Sequence, residues 1–120
     1  MSDRFAVVIA GTRHFDDYGL LKEKCDYFFS NKWPTSIICG EAAGADTLGK
    51  KYAMSRHIHV QSFPANWDKY GKKAGYIRNE QMADNADAVI VFWDGISRGS
   101  KNMIDIARER GIPCRVVRYK

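Results

Sequence analysis

The run Ala88-Val89-Ile90-Val91-Phe92-Trp93, followed at once by Asp94-Gly95-Ile96-Ser97-Arg98-Gly99-Ser100, decides the fold. An unbroken apolar run of β-branched and aromatic residues has no polar face, so a strand made from it is covered on both sides. Such strands belong to parallel sheets packed between helices. The loop that follows holds two glycines and two serines, then opens onto Met103, Ile106 and Ala107, which share one helical face. Strand, small-residue turn and helix make the repeating half of a parallel α/β fold.

The same unit recurs along the chain. Residues 5–10, 36–39, 58–63 and 114–119 are further short runs rich in β-branched or aromatic residues. Between them, Leu20, Leu21, Lys24, Cys25, Phe28 and Phe29 form one helical stripe, and Ala45, Leu48, Gly49, Tyr52 and Ala53 a second. Gly75, Asn79, Met82, Ala83 and Ala86 form a third stripe, and the fourth, from Met103, stops at Gly111 before Pro113. The alternation predicts a Rossmann-like α/β/α sandwich with three layers and a five-stranded parallel sheet. Orders 3-2-1-4-5 and 2-1-3-4-5 both suit such a sheet. The most apolar runs are the first and the fourth, which favours 3-2-1-4-5 with those two adjacent at the centre. Ligands then gather in the crevice between them, at Gly11–His14 and Asp94–Ser100. The longest connection, residues 64–72, is aromatic and basic and is expected to be a lid.

Composition narrows the class. The chain has 120 residues, expected to form a single domain over 1–120, and its 45% apolar content excludes disorder and collagen-like structure. No apolar stretch is long enough to cross a bilayer, and the opening MSDRF lacks a secretory pattern. Cys25, Cys39 and Cys114 are scattered, with no C-x-x-C pair. The expectation is a cytoplasmic protein with no metal site, no membrane partner and no disulfide. Nineteen Lys and Arg against 14 Asp and Glu leave a net charge of +5, which favours an anionic partner.

The turns carry the chemistry. After the first strand, Gly11 permits close backbone approach, Thr12 offers a hydroxyl, and Arg13 can clamp a phosphate. After the second, Gly40-Glu41-Ala42-Ala43-Gly44-Ala45-Asp46 opens a helix whose free N–H groups attract an anion. There Asp46 is either a dipole partner or a holder of a ribose hydroxyl. In the third helix, Asn79 lies within the buried stripe and is expected to tie loops together, while Arg78 on its flank is expected to reach the pocket. After the fourth strand, Asp94, Gly95, Ser97, Gly99 and Ser100 supply amides and hydroxyls suited to a phosphate. Neither G-x-G-x-x-G nor G-x-x-x-x-G-K-[ST] occurs, and no cofactor is expected. His57 and His59 alternate along a predicted strand, about 7 Å apart on one face. His14 stands near the crevice as a candidate acid or base. The segment from Trp67 through Tyr70 to Tyr76 interleaves aromatics with Lys69, Lys72 and Lys73, as a nucleic-acid surface does, or as a wall stacking one nucleobase does.

Gly11-Thr12-Arg13, the 40–46 segment, Ala74-Gly75-Tyr76-Ile77-Arg78-Asn79 and the 93–100 segment together resemble the YspA/YpsA-related branch of the SLOG superfamily. The resemblance runs in order across nearly the whole chain. It implies a compact Rossmann-like fold with a pocket for nucleotides or nucleotide-derived ligands, and it allows a homodimer or larger assembly. Relatives include ligand-sensing domains and the Lonely Guy phosphoribohydrolases, which resemble P-G-G-x-G-T-x-x-E. The Glu of that pattern has no counterpart at Met103, which counts against glycosidic cleavage, whereas Ser100 keeps the hydroxyl of the usual Thr.

Three functions are in play. The first is binding of a nucleotide or nucleotide-derived phosphorylated ligand, to sense, sequester or deliver it. The second is an N-glycosidase acting on a nucleoside phosphate, with Asp94, Asp46 or Glu41 stabilising the transition state or activating water. The third is single-stranded nucleic-acid binding through the basic, aromatic segment.

Overall fold

The structure, a computed structural model, describes residues 4–120. In chain order the elements are β1 (Ala6–Gly11), α1 (Tyr18–Phe28), β2 (Ser36–Cys39), α2 (Ala45–Ser55), β3 (His59–Ser62), α3 (Trp67–Tyr70), α4 (Ala74–Asp84), β4 (Ala88–Trp93), α5 (Arg98–Glu109) and β5 (Cys114–Arg118). The sheet has order β3-β2-β1-β4-β5 and every pair is parallel. β1 and β4 lie side by side, in register from Val7 opposite Ala88 to Gly11 opposite Phe92.

Side-chain alternation along the central strands divides the core in two. Val7, Ile9, Ile37, Cys39, Ile90 and Phe92 face one way, against Leu21 and Cys25 of α1 and Tyr52 and Ala53 of α2. Ala6, Val8, Ala10, Ile38, Val89 and Val91 face the other, against Met82 and Ala83 of α4 and Met103, Ile104, Ile106 and Ala107 of α5. Each large aliphatic buried this way contributes about 1.5–3 kcal/mol. The continuous apolar reading of β1 and β4 thus has its cause in two helical layers, one on each face. The turn chemistry is pushed to the strand ends.

Gly11 closes β1 where space is least. A Cβ there would overlap the Phe92 carbonyl and approach Ala45 Cβ to 2.8 Å. That contact brings the loops after β1, β2 and β4 to one point.

The 64–72 connection, expected as a lid, holds the one-turn helix α3 and then a 3-10 turn over Gly71–Lys73. Asn66 starts α3 by accepting a hydrogen bond from the Lys69 N–H at 3.1 Å. His57 does not share a strand face with His59, because it lies outside β3 in a turn with φ of 58°.

Candidate functional site

The carboxyl ends of β1, β2 and β4 open onto a cavity of about 820 Å³, flanked by the 64–72 segment, α4 and the start of α5. That volume lies within the usual range of small-molecule sites. Its position is the switch point between β1 and β4, where the connections leave toward opposite edges of the sheet.

The turn after β1 lines the cavity with Gly11, Thr12, Arg13 and His14. Thr12 also knots three loops together. Its N–H donates to the Phe92 carbonyl at 3.0 Å, and its own carbonyl accepts from Phe15 and Ala45. Its hydroxyl accepts from the Asp94 N–H at 3.2 Å, so this group works within the scaffold as well as lining the cavity.

From the turn after β2, Gly40, Glu41 and Asp46 line the cavity, but Gly44 and Ala45 do not. Gly44 has φ of 75° and is pressed against the carbonyl groups of Thr12 and Arg13. The Ala45 N–H donates to Thr12 and is not free for an anion. Glu41 faces Lys50 at 3.6 Å, and Ser62 with Lys50 holds its carboxyl below the usual range. Asp46 is buried and accepts from the Ala42 N–H at 3.2 Å. Burial pushes its carboxyl up to about 6, against the opposing pull of Arg78 and of the Ala42 and Gly40 N–H groups.

Arg78 and Asn79 line the cavity from α4. The Arg78 guanidinium donates to the Gly40 carbonyl and, through Nε, to Asn79 Oδ1 at 3.3 Å. Burial holds its pKa below the usual arginine value, Asp46 opposes that shift, and the neighbouring Arg13 adds to it. Asn79 is buried, and its Nδ2 donates to the Gly99 carbonyl at 3.2 Å and to Asn102 Oδ1 at 3.0 Å. It joins α4 to the first turn of α5.

The loop after β4 contributes Asp94, Ser97, Gly99 and Ser100, while Gly95 stays outside the lining, packed against the Arg118 guanidinium. Asp94 Oδ1 accepts from the Ile96 and Ser97 N–H groups at 2.8 Å each, which holds its carboxyl below the usual range. The carboxylate is therefore engaged in bracing its own loop. Ser97 is the N-cap of α5, and it makes no side-chain capping bond. The first intrahelical bond runs from Lys101 N to the Ser97 carbonyl, leaving the N–H groups of Arg98, Gly99 and Ser100 without an intrahelical partner. Gly99 and Ser100 line the cavity, so their part of the helix terminus faces it.

Sequence reasoning assigned no site role to Met82 or Ile96, which also line the cavity, as does Pro64 at the start of the expected lid. Met82 reads only as core, and Ile96 carries no local signal. Met103, where a carboxylate would stand in the phosphoribohydrolase pattern, is buried and presents a thioether to the cavity.

A family model described as YAcAr, the YspA, cpYpsA-related SLOG family, matches residues 5–70. The chain belongs to this family. SLOG membership suggests a small-molecule ligand, of a kind thought to be nucleotide-derived. This SLOG chain is 28% identical over 114 residues to the Gene 61 protein of Mycobacterium phage D29, covering 89% of itself and 91% of the phage protein. It superimposes on DNA processing protein A (DprA) from Streptococcus pneumoniae with a TM-score of 0.72 at 19% identity. That match covers 94% of the chain and 50% of DprA, so the chain spans about half of that protein's length, and the likeness is one of fold. Among the described residues, no helix is long and apolar enough to cross a membrane.

Proposed function

We propose that this SLOG protein binds a nucleotide or nucleotide-derived phosphorylated small molecule at the carboxyl ends of β1, β2 and β4, and serves to sense, sequester or deliver it. One observation carries the reading: the unpartnered first turn of α5, at Gly99 and Ser100, faces a cavity that also holds Arg13 and Arg78. A helix terminus and two guanidinium groups around one concavity suit a phosphate. The net charge of +5 suits the same anion at long range.

The test is thermal stability against a broad panel of mononucleotides and nucleotide-diphosphate sugars. A ligand at 100 times its dissociation constant adds about 2.7 kcal/mol. For a chain of this size that is a melting shift of roughly ten degrees. A panel without any shift would sink the reading.

A second reading rests on Asp46. Its carboxyl, pushed to about 6 and lining the cavity, has acid–base capacity near neutrality. Cleavage of the base–sugar bond of a nucleoside phosphate would use such a group. Chromatographic detection of free base from the same mononucleotides would favour the N-glycosidase, and intact ligand after long incubation would exclude it for those substrates.

A further inference from the structure

The aromatic wall of the cavity is not explained by packing. Trp67 is 52% exposed and Tyr76 44% exposed, yet neither takes part in the two core clusters. Scattered surface aromatics need no explanation. These two line one cavity, the same one that Gly99 and Ser100 face. A ligand with a phosphate at one end and a flat ring at the other would use both sets of groups.

We propose that Trp67 and Tyr76 form a stacking subsite for the base of the bound nucleotide, an inference that rests on the phosphate-binding reading above. The wall is built rather than loose. Asn66 caps α3, and the Phe63 N–H donates to the Cys39 carbonyl at 2.9 Å, tying the segment to β2. The indole rests over the first turn of α4, its Cη2 3.7 Å from where a Cβ on Gly75 would stand. Aromatic rings held in this way lose little freedom when a base lies on them, and every base offers a π-face. Stacking grows with ring area, so purines rank ahead of pyrimidines. Lys72 also lines the cavity and adds to its positive potential toward an anionic ligand. A stack of bases from a nucleic-acid strand would use Tyr70 as well. Tyr70 does not line this cavity, which favours one base over several.

The experiment is calorimetric titration of AMP, GMP, CMP, UMP and ribose 5-phosphate against the parent, Trp67→Ala, Trp67→Phe and Tyr76→Ala. The half-exposed ring lets the Ala variants fold, and equal melting temperatures check this. The parent should bind AMP and GMP about tenfold or more tightly than ribose 5-phosphate. Trp67→Ala should remove most of that preference while ribose 5-phosphate binds within about twofold of the parent, and Trp67→Phe should restore most of it. Equal affinity of the parent for ribose 5-phosphate and the mononucleotides would overturn the stacking subsite and leave the phosphate site standing. So would an equal loss of both ligand types in Trp67→Ala. No binding of any of these probes would overturn the stacking subsite, while the phosphate reading stands or falls on the wider panel that includes nucleotide-diphosphate sugars. An oligothymidylate that binds far more tightly than UMP, with a steep loss in salt, would overturn the single-base subsite in favour of a polymer.

Discussion

Asp46 Oδ2 and Arg78 Nη1 converge on one backbone carbon: a Cβ at Gly40 would lie 2.8 Å from the first and 2.5 Å from the second. The two side chains come from α2 and α4, on opposite faces of the sheet, and both reach the space just after β2 that a side chain on Gly40 would fill. Each also holds the backbone beside it, Arg78 through the Gly40 carbonyl and Asp46 through the Ala42 N–H. The floor of the cavity thus holds two nearby opposite charges, each fixed by a main-chain bond rather than by a direct ion pair.

The first prediction follows from the Asp46 carboxyl. Its rise from an ordinary 3.8 to about 6 penalises the charged folded state by on the order of 3 kcal/mol. Between pH 4 and 6 the folded chain binds this proton more tightly than the unfolded chain. The contribution is therefore present below pH 4 and lost as pH rises through 6. Asp46→Asn lacks this titration, so its stability relative to the parent should improve by about 2–3 kcal/mol from pH 4 to 7. The depressed carboxyls of Asp26 and Asp94 titrate in the opposite sense, but in both proteins, and cancel in the difference, whereas the Glu41 charge helps to raise Asp46 and is part of the effect. Urea unfolding over a pH series measures it, and a flat difference would refute the account.

Asn79→Ala should act mainly on stability. The amide bridges the Gly99 carbonyl, Asn102 Oδ1 and Arg78 Nε in a buried position. Removing it orphans those partners, at a cost of about 1–3 kcal/mol. Denaturant melts should show the loss directly. A variant that melted like the parent yet bound no nucleotide would instead place Asn79 against the ligand.

The sheet order was legible because the inner strands are apolar on both faces, and Ala6–Gly11 and Ala88–Trp93 stand out for that reason alone. The turns that carry the cavity were legible for the same topological reason. What individual turn residues do was less so, because partners distant in sequence decide it. Thr12 meets Asp94 across 82 positions, and Gly44 turns toward Thr12 rather than into the cavity. Asp94 engages its own loop, although an Asp followed by glycine and serine could have signalled such a turn. Asn66 before Trp67 could likewise have signalled the short α3. His57 gave no such signal, and its positive φ is imposed by the return of the chain from α2 to β3.

Gly44 and Gly111 make a controlled pair for the third prediction. Both have positive φ, at 75° and 69°, but only Gly44 has backbone atoms where a Cβ would stand. Gly111→Ala should cost about 1 kcal/mol, the strain of a left-handed Ala. Gly44→Ala adds a backbone conformation (φ 75°, ψ −126°) that side-chain-bearing residues rarely enter, overlap with the Thr12 and Arg13 carbonyls, and strain in the Ala45 bond to Thr12. It should cost at least about 2 kcal/mol more, because packed backbone cannot give way as a flexible side chain can. Equal losses in thermal or urea melts would mean that the two turns are not held by one another.

The last prediction separates the phosphate subsite from the rest of the cavity. Ser100 is buried, with its Oγ 3.3 Å from Ser97 Oγ, so a large side chain there would disturb the fold as well as the ligand. Gly99 is the better probe, because a Cβ on it would meet nothing within 4 Å, although the residue lines the cavity. Gly99→Asp places a carboxylate in the first turn of α5, where it is electrostatically welcome and where replacing glycine favours the helix. The fold should therefore be unchanged or more stable by a few tenths of a kcal/mol, roughly. A phosphorylated ligand should meet like charge and a competitor for the same N–H groups, and lose about tenfold or more in affinity, about 1.4 kcal/mol. The corresponding nucleoside, if it binds the parent, should change little. Calorimetric titration of both ligands against both proteins decides it. Equal losses for nucleotide and nucleoside, or no loss for either, would move the phosphate away from α5 and toward Arg13 and the Gly40 turn.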